Sequence, residues 1–214
     1  MDNEINIINS ETRKEKIKNF FIKKKKIIIS IIIFLLLLLF SFLIYQEYEK
    51  RKNEKLANKY NMTILEYEKG NKENTIKFMK EIIEDRDKTY SPLAFYYLLD
   101  NELISLKKEI NKYFDILIYE TKIDKENKNL TIFKKGLFNS EFANENELLD
   151  ILNPLIKSQS IWKPHALYLM AEFYFAKEEK QKSKEFFEQL ISLENVSMKI
   201  KIEAQKRLRS DFSE

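Results

Sequence analysis

The stretch HALYLMAEFYFAKEEKQKSKEFFEQL, His165–Leu190, decides how the whole chain is read. Leu167, Met170, Ala171 and Tyr174 recur at helical spacing and share one face of a first helix. Ser183, Phe187, Leu190 and Ile191 share the facing side of a second. Small side chains at Ala171 and Ser183 let the two helices approach closely, while Tyr174 and Phe187 fill the groove between them. The aromatic stripe is therefore chiefly a packing seam. It belongs to a helix pair that cannot bury its apolar face alone.

The pair recurs. FMKEII (78–83), FDILI (114–118), LNPLI (152–156) and FEQLI (187–191) share an aromatic or aliphatic residue followed by an apolar pair. Their final residues, Ile83, Ile118, Ile156 and Ile191, are 35, 38 and 35 apart. A helix-pair period of about 34 residues is the tetratricopeptide signature. Gly136 with Leu148, Leu152 and Leu155 gives the same layout one repeat earlier in weaker form, and a bulky Leu98 replaces the expected small residue in the second repeat. The repeats are degenerate.

Apolar periodicity and polar breaks predict helices near 46–68, 72–85, 91–103, 105–120, 126–140, 145–157, 164–177, 180–193 and 196–210. Ser91-Pro92 reads as an N-cap followed by proline at the first helical position, and Lys163-Pro164 places proline at another start. Glu68-Lys69-Gly70-Asn71 reads as the break between two helices.

A different pattern precedes the repeats. Ile27–Ile44 is 18 residues long and apolar except for Ser30 and Ser41. As a helix it rises roughly 27 Å, close to the ~30 Å of a bilayer's hydrocarbon core. It ends in Leu43, Ile44, Tyr45, Gln46, without the small residues of a signal-peptide cleavage site, so a retained anchor is expected. Eight basic residues precede it: Arg13, Lys14, Lys16, Lys18 and Lys23 to Lys26. Five follow within fifteen residues: Lys50, Arg51, Lys52, Lys55 and Lys59. That bias predicts a cytoplasmic N-terminus and a C-terminal body outside.

The expected fold is thus all-α: a single N-terminal transmembrane helix, then a degenerate tetratricopeptide-like α-solenoid of about four helix pairs plus a C-terminal capping helix. Its parts are a basic cytoplasmic tail (1–26), the span (27–45) and a helical repeat domain (46–212).

Composition narrows the function classes. Two glycines and three prolines argue against turn-rich β folds and glycine-rich phosphate loops, and the absence of cysteine removes disulfides and thiolate metal sites. The net charge of +4 resides in residues 1–26, with eight basic and four acidic residues, which leaves 30 of each beyond them. A neutral body lacks the footprint that nucleic-acid binding needs. One histidine, no cysteine and no phosphate-loop motif predict no enzyme and no cofactor.

SIWKPHALYLMAEFYFAKEEKQKSKEFFEQLI followed by IKIEAQKRL resembles the C-terminal end of the YfgM-like family, inner-membrane tetratricopeptide-like proteins of proteobacteria. TYSPLAFYYLLDNELI and LNPLIKSQSIW resemble its middle segments, and the order of parts agrees across nearly the whole chain. Low alanine and glycine content, with Leu98 and Glu178 at places usually small, departs from the pattern. The resemblance implies a bacterial inner-membrane location with a periplasmic C-terminal domain. It also implies an ancillary role at the Sec translocon, beside a membrane-anchored periplasmic chaperone or its clients. A scaffold for envelope assembly or cell division is the alternative function.

Repeat geometry puts a protein-binding groove on the side formed by first helices. In the last repeat those positions are His165, Tyr168, Glu172 and Phe175; in the second they are Phe95 and Leu99. Either these residues receive an extended polypeptide or partner helix, or they contact the neighbouring repeat. No small-molecule substrate is expected there. His165 and Glu172 share a helix face but have no third ligand nearby, so no metal is expected. Trp162 reads either as a plug between repeats or as a recognition residue. The pairs Glu84-Asp85 and Glu178-Glu179 are adjacent on helices and do not face each other, so no acid–base pair is expected.

Overall fold

The computed structural model describes residues 2–194 and 196–212, with the side chains of residues 2–14, 16 and 17 outside the description. Arg13, Lys14 and Lys16, used above for orientation, fall among the latter. The described residues form helices and connecting turns, with no strand among them. In order they are α1 (Asp2–Glu68), α2 (Lys72–Glu84), α3 (Tyr90–Asp100), α4 (Lys107–Asp115), α5 (Lys125–Asn139), α6 (Glu145–Ile156), α7 (Lys163–Ala176), α8 (Lys180–Ser192) and α9 (Met198–Phe212). One π-helical turn, Ile116–Glu120, continues α4.

The chain divides into two compact units, the first ending at Leu56 and the second running from Ala57. Within the first, α1 is long and apolar enough to cross a membrane, and none of its apolar window is buried. The second unit starts eleven residues later than the helical domain expected from residue 46.

Helix boundaries in the second unit fall within a few residues of the expected ones, and most have mechanical causes. Asp124 caps α5 by accepting from the backbone N–H groups of Glu126 and Asn127. Asn144 and Glu147 form a reciprocal capping box at α6. Pro164 sits in the first turn of α7, where a missing N–H costs nothing. At α3 the expected cap is overturned. The helix starts at Tyr90, one residue before Ser91, and Asp87 Oδ1 accepts from Thr89 and Tyr90. Ser91 is fully buried and its hydroxyl donates across to Ile82 O at 2.7 Å.

Three helix ends share one device. Gly70, Glu102 and Glu178 have φ of 86°, 53° and 63°, and each is followed by a residue whose N–H reaches back to Glu66, Leu98 or Tyr174. This left-handed cap suits glycine, because Cβ crowds the following carbonyl. Glu178→Gly and Glu102→Gly should each stabilise the second unit by roughly 0.5–1 kcal/mol, and Gly70→Ala should destabilise it by about 1 kcal/mol. Chemical unfolding of the full chain in detergent, followed by far-UV dichroism, reads all three. A destabilised Glu178→Gly would contradict the strain argument.

The helices keep a regular spacing. α2, the α4–π segment, α6 and α8 end at Glu84, Glu120, Ile156 and Ser192, 36 residues apart at each step. Each helix packs mainly on a sequence neighbour, and α5 also meets α7, as α7 meets α9. Polar contacts repeat at similar separations: Arg86 to Glu120, Tyr96 to Thr131, Ser160 to Glu126 and Arg207 to Glu172 span 34 to 35 residues.

Close helix crossings recur too. Ser183 Oγ donates to Ala171 O at 2.8 Å, and Thr75 Oγ1 lies 3.5 Å from Thr63 O, each across 12 residues. Gly136 lies against fully buried Leu152. Apolar burial holds this packing: one core cluster runs from α2 to α7, and a second gathers Leu167, Ala171, Phe187, Leu190 and Ala204 from α7, α8 and α9. Each fully buried Leu or Phe contributes about 1.5–3 kcal/mol. Ile83 and Ile118 are buried in the first cluster, while Ile156 and Ile191 are partly buried against it or the second.

Candidate functional site

Three helices of the second unit, α5, α7 and α9, enclose an open cleft of about 700 Å³. From α5 come Phe133 and Leu137; from α7, His165, Tyr168, Leu169 and Glu172; from α9, Ile200 and Glu203. The register makes this grouping intelligible. Phe133 and Tyr168 both lie three residues before the close-packed positions Gly136 and Ala171, and Leu137 and Glu172 lie one residue after them. The same side of α5 and of α7 therefore faces the same opening. Leu137 is 52 % exposed, an apolar residue presented to solvent at the cleft's edge.

Leu137 also lines a second cleft of about 480 Å³, together with Tyr96, Leu99 and Asp100 of α3 and Phe138 of α5. Leu137 is common to the linings of both clefts. Lys134 Nζ lies 3.6 Å from the Tyr96 ring centroid, and Lys107 Nζ lies 3.7 Å from that of Phe142, so both ammonium groups rest on aromatic faces.

Of the six expected groove residues, His165, Tyr168, Glu172 and Leu99 line these clefts. Phe95 does not. It is fully buried, edge-on to Phe114 at 4.8 Å, because the ring points beneath α3 into the core while Tyr96 and Leu99 face outward. Phe175 is covered by α9: its ring meets Phe212 at 5.8 Å, and the Arg207 guanidinium lies 4.5 Å from its centroid. Phe133, Leu137 and Ile200 were not foreseen. Carrying the 35- and 38-residue offsets onto α5 selects the first two, and carrying the 35-residue offset forward from His165 selects Ile200.

Both carboxylate oxygens of Glu172 accept from Arg207, at 2.8 and 2.9 Å, which takes Glu172 out of any metal pair with His165. The bond to Glu172 also raises the Arg207 pKa. Burial, then the neighbouring charges of Glu172 and Glu203, raises that of Tyr168, which keeps its hydroxyl protonated. No group of three or more His, Asp or Glu able to hold a metal ion occurs among the described residues.

His165 sits at the first cleft's aromatic end. Its ring centroid is 5.1 Å from Trp162 and 5.7 Å from Phe133, and its Nδ1 is buried with no hydrogen-bond partner. Trp162 stacks on Phe133 at 5.7 Å and 21°, bridging α5 and the start of α7. That contact is the one expected of a plug.

Tyr174, beneath the groove, donates to Glu145 at 2.8 Å, and burial with this bond pushes its pKa up to about 12. Lys182 meets the same carboxylate, joining α6, α7 and α8. This cluster is a structural tie.

No known protein family, characterised protein or solved structure matches the chain.

Proposed function

We propose that the chain is a single-pass membrane protein whose second unit is a degenerate tetratricopeptide-like array working as a protein–protein interaction module. In this reading α1 spans a bacterial inner membrane from a cytoplasmic N-terminus, and the array lies in the periplasm. It comprises about four helix pairs and a C-terminal capping helix, α9. The partners are proteins: the Sec translocon, a membrane-anchored periplasmic chaperone or client polypeptides. The YfgM-like resemblance contributes those identities; the clefts contribute the mode of contact. No catalysis, nucleic acid or small-molecule substrate belongs to it.

The observation that carries this reading is the pair of clefts, one between α5, α7 and α9 and one between α3 and α5, that share the exposed Leu137. Clefts of that kind suit the apolar side chains of a partner segment. Tethering by α1 raises the local concentration of membrane neighbours, so weak contacts suffice.

A photo-crosslinking residue at Tyr168 of the full chain, in native membranes, tests it. Adducts with Sec components or envelope chaperones are expected. Leu137→Glu should abolish them while changing stability by no more than about 0.5 kcal/mol, since an exposed side chain is replaced. Persistence of the adducts in Leu137→Glu would remove the clefts from the argument.

A scaffold for envelope assembly or cell division is the second reading. It is favoured by Met198 and Ile202, 71 % and 54 % exposed on α9, which offer an apolar surface for self-association. Adducts between copies of the chain, without translocon or chaperone adducts, would select it. A topology reporter fused after Glu214 tests the outside placement on which both readings depend.

A further inference from the structure

We propose that Lys23–Lys26 form a collar that gathers anionic phospholipid headgroups around the N-terminal end of the span, in one leaflet only. The proposal rests on the spanning reading of α1 and adds a lipid partner to it. Four consecutive residues on an α-helix cover the full circumference, one every ~100°. All four lysines are exposed. They therefore point at different lipids, and the collar selects for negative phosphate-bearing headgroups as a class.

The decisive observation is a contrast between the two flanks. Beyond the C-terminal end of the apolar run, Glu47, Glu49 and Glu54 are interleaved with the basic residues, and two of these are matched along the helix itself. Arg51 Nε bonds Glu47 at 2.8 Å, and Lys50 lies 4.0 Å from Glu54, both at four-residue spacing. Beside Lys23–Lys26 no such match exists: residues 19–30 contain no Asp or Glu, and the nearest acids in sequence are Glu15 and Glu47. One flank interleaves three acids among its five basic residues and pairs two of them along the helix, and the other leaves four adjacent ammonium groups to find external anions.

Depth supplies the partner. The four residues occupy about 6 Å of helix axis immediately outside Ile27. A bilayer's headgroup layer on each side is roughly 5–7 Å thick, so the ammonium groups share the level of the lipid phosphates. Each basic group near an anionic surface enriches it on the order of fivefold, and salt weakens the attraction.

Because the chain has no cysteine, single labels are available for a test. Full-length chain carrying Ser30→Cys or Ile44→Cys is labelled with a fluorophore and reconstituted in nanodiscs of phosphatidylcholine with about a third phosphatidylglycerol, the level that gives a strongly anionic surface. Either lipid is spin-labelled in turn, and the ratio of quenching gives its local enrichment. At position 30, the local ratio of phosphatidylglycerol to phosphatidylcholine should exceed that of the bulk bilayer about fivefold at low salt, and the excess should largely vanish at about 1 M salt. At position 44 the preference for phosphatidylglycerol should be much weaker than at position 30. K23Q, K24Q, K25Q and K26Q together should bring position 30 to parity, and the four arginine replacements should restore the preference.

Equal quenching at position 30 in the unmodified sequence overturns the collar while the spanning reading stands. Absence of quenching by any labelled acyl chain overturns both. Displacement of the lipid by inorganic phosphate beyond that of chloride at equal ionic strength would assign the lysines to a soluble anion, overturning the lipid proposal.

Discussion

Phe95→Ala is expected to remove about 3–5 kcal/mol of stability from the second unit, the cost of emptying a fully buried aromatic site. Phe95 is completely enclosed, edge-on to Phe114 at 4.8 Å, and within 6.0 Å of the Tyr113 ring. None of these neighbours is free to collapse into the space, since Phe114 is fully buried and Tyr113 nearly so. Phe133 occupies the equivalent register on α5 but is only partly buried, so Phe133→Ala should cost less, about 1–2 kcal/mol. Urea unfolding of the full chain in detergent, followed by far-UV dichroism, compares them. A loss below about 1 kcal/mol at Phe95 would mean that α3 is not packed as described.

The second large effect is a reversal of sign. A Cβ added at Gly136 would stand 2.4 Å from Leu152 Cδ2 and 3.0 Å from its Cγ. Leu152 is itself fully buried, so its side chain moves only by displacing others. Gly136→Ala thus gains up to about 1 kcal/mol of helix propensity but meets an overpacking cost of about 1–3 kcal/mol, and net destabilisation is expected. Leu152→Ala alone should cost about 2–5 kcal/mol, because it leaves a cavity. Once Leu152 is alanine, both clashing atoms are gone, and the added methyl at 136 fills part of the cavity. Gly136→Ala should then stabilise, with a coupling of about 1–3 kcal/mol between the positions. Simple additivity would refute the close contact between α5 and α6.

The helical order of the second unit was legible because period and punctuation agree. Gly70 ends α1, Pro164 marks the start of α7, and the apolar stripes repeat at offsets of 35 to 38. The left-handed caps at Glu102 and Glu178 were not legible, since glutamate carries no local signal for positive φ; the tertiary fold imposes it. Nor was the π-helical turn at Ile116–Glu120, where Thr121 N–H and Oγ1 both reach Ile116 O.

Of the groove, the α7 residues His165, Tyr168 and Glu172 were accessible from spacing. Phe95 and Phe175 were misplaced for a common reason: helical phase tells which residues share a face, and only packing tells how much of that face a neighbour covers. Phe95 turns under its helix onto Phe114, and Phe175 is covered by Arg207 and Phe212, side chains 32 and 37 positions later. Ser91 illustrates the same limit, as its hydroxyl meets α2 rather than its own helix start.

The regular 36-residue spacing of helix ends has a kinetic consequence. Partners throughout the second unit are neighbours in the chain, so each docking event closes only a short loop and loses little entropy. A polypeptide delivered end-first acquires every partner soon after it emerges, and no early segment waits for a distant one. Maturation then proceeds stepwise from α2 toward α9, with no need for the C-terminus to be present before the first pair closes.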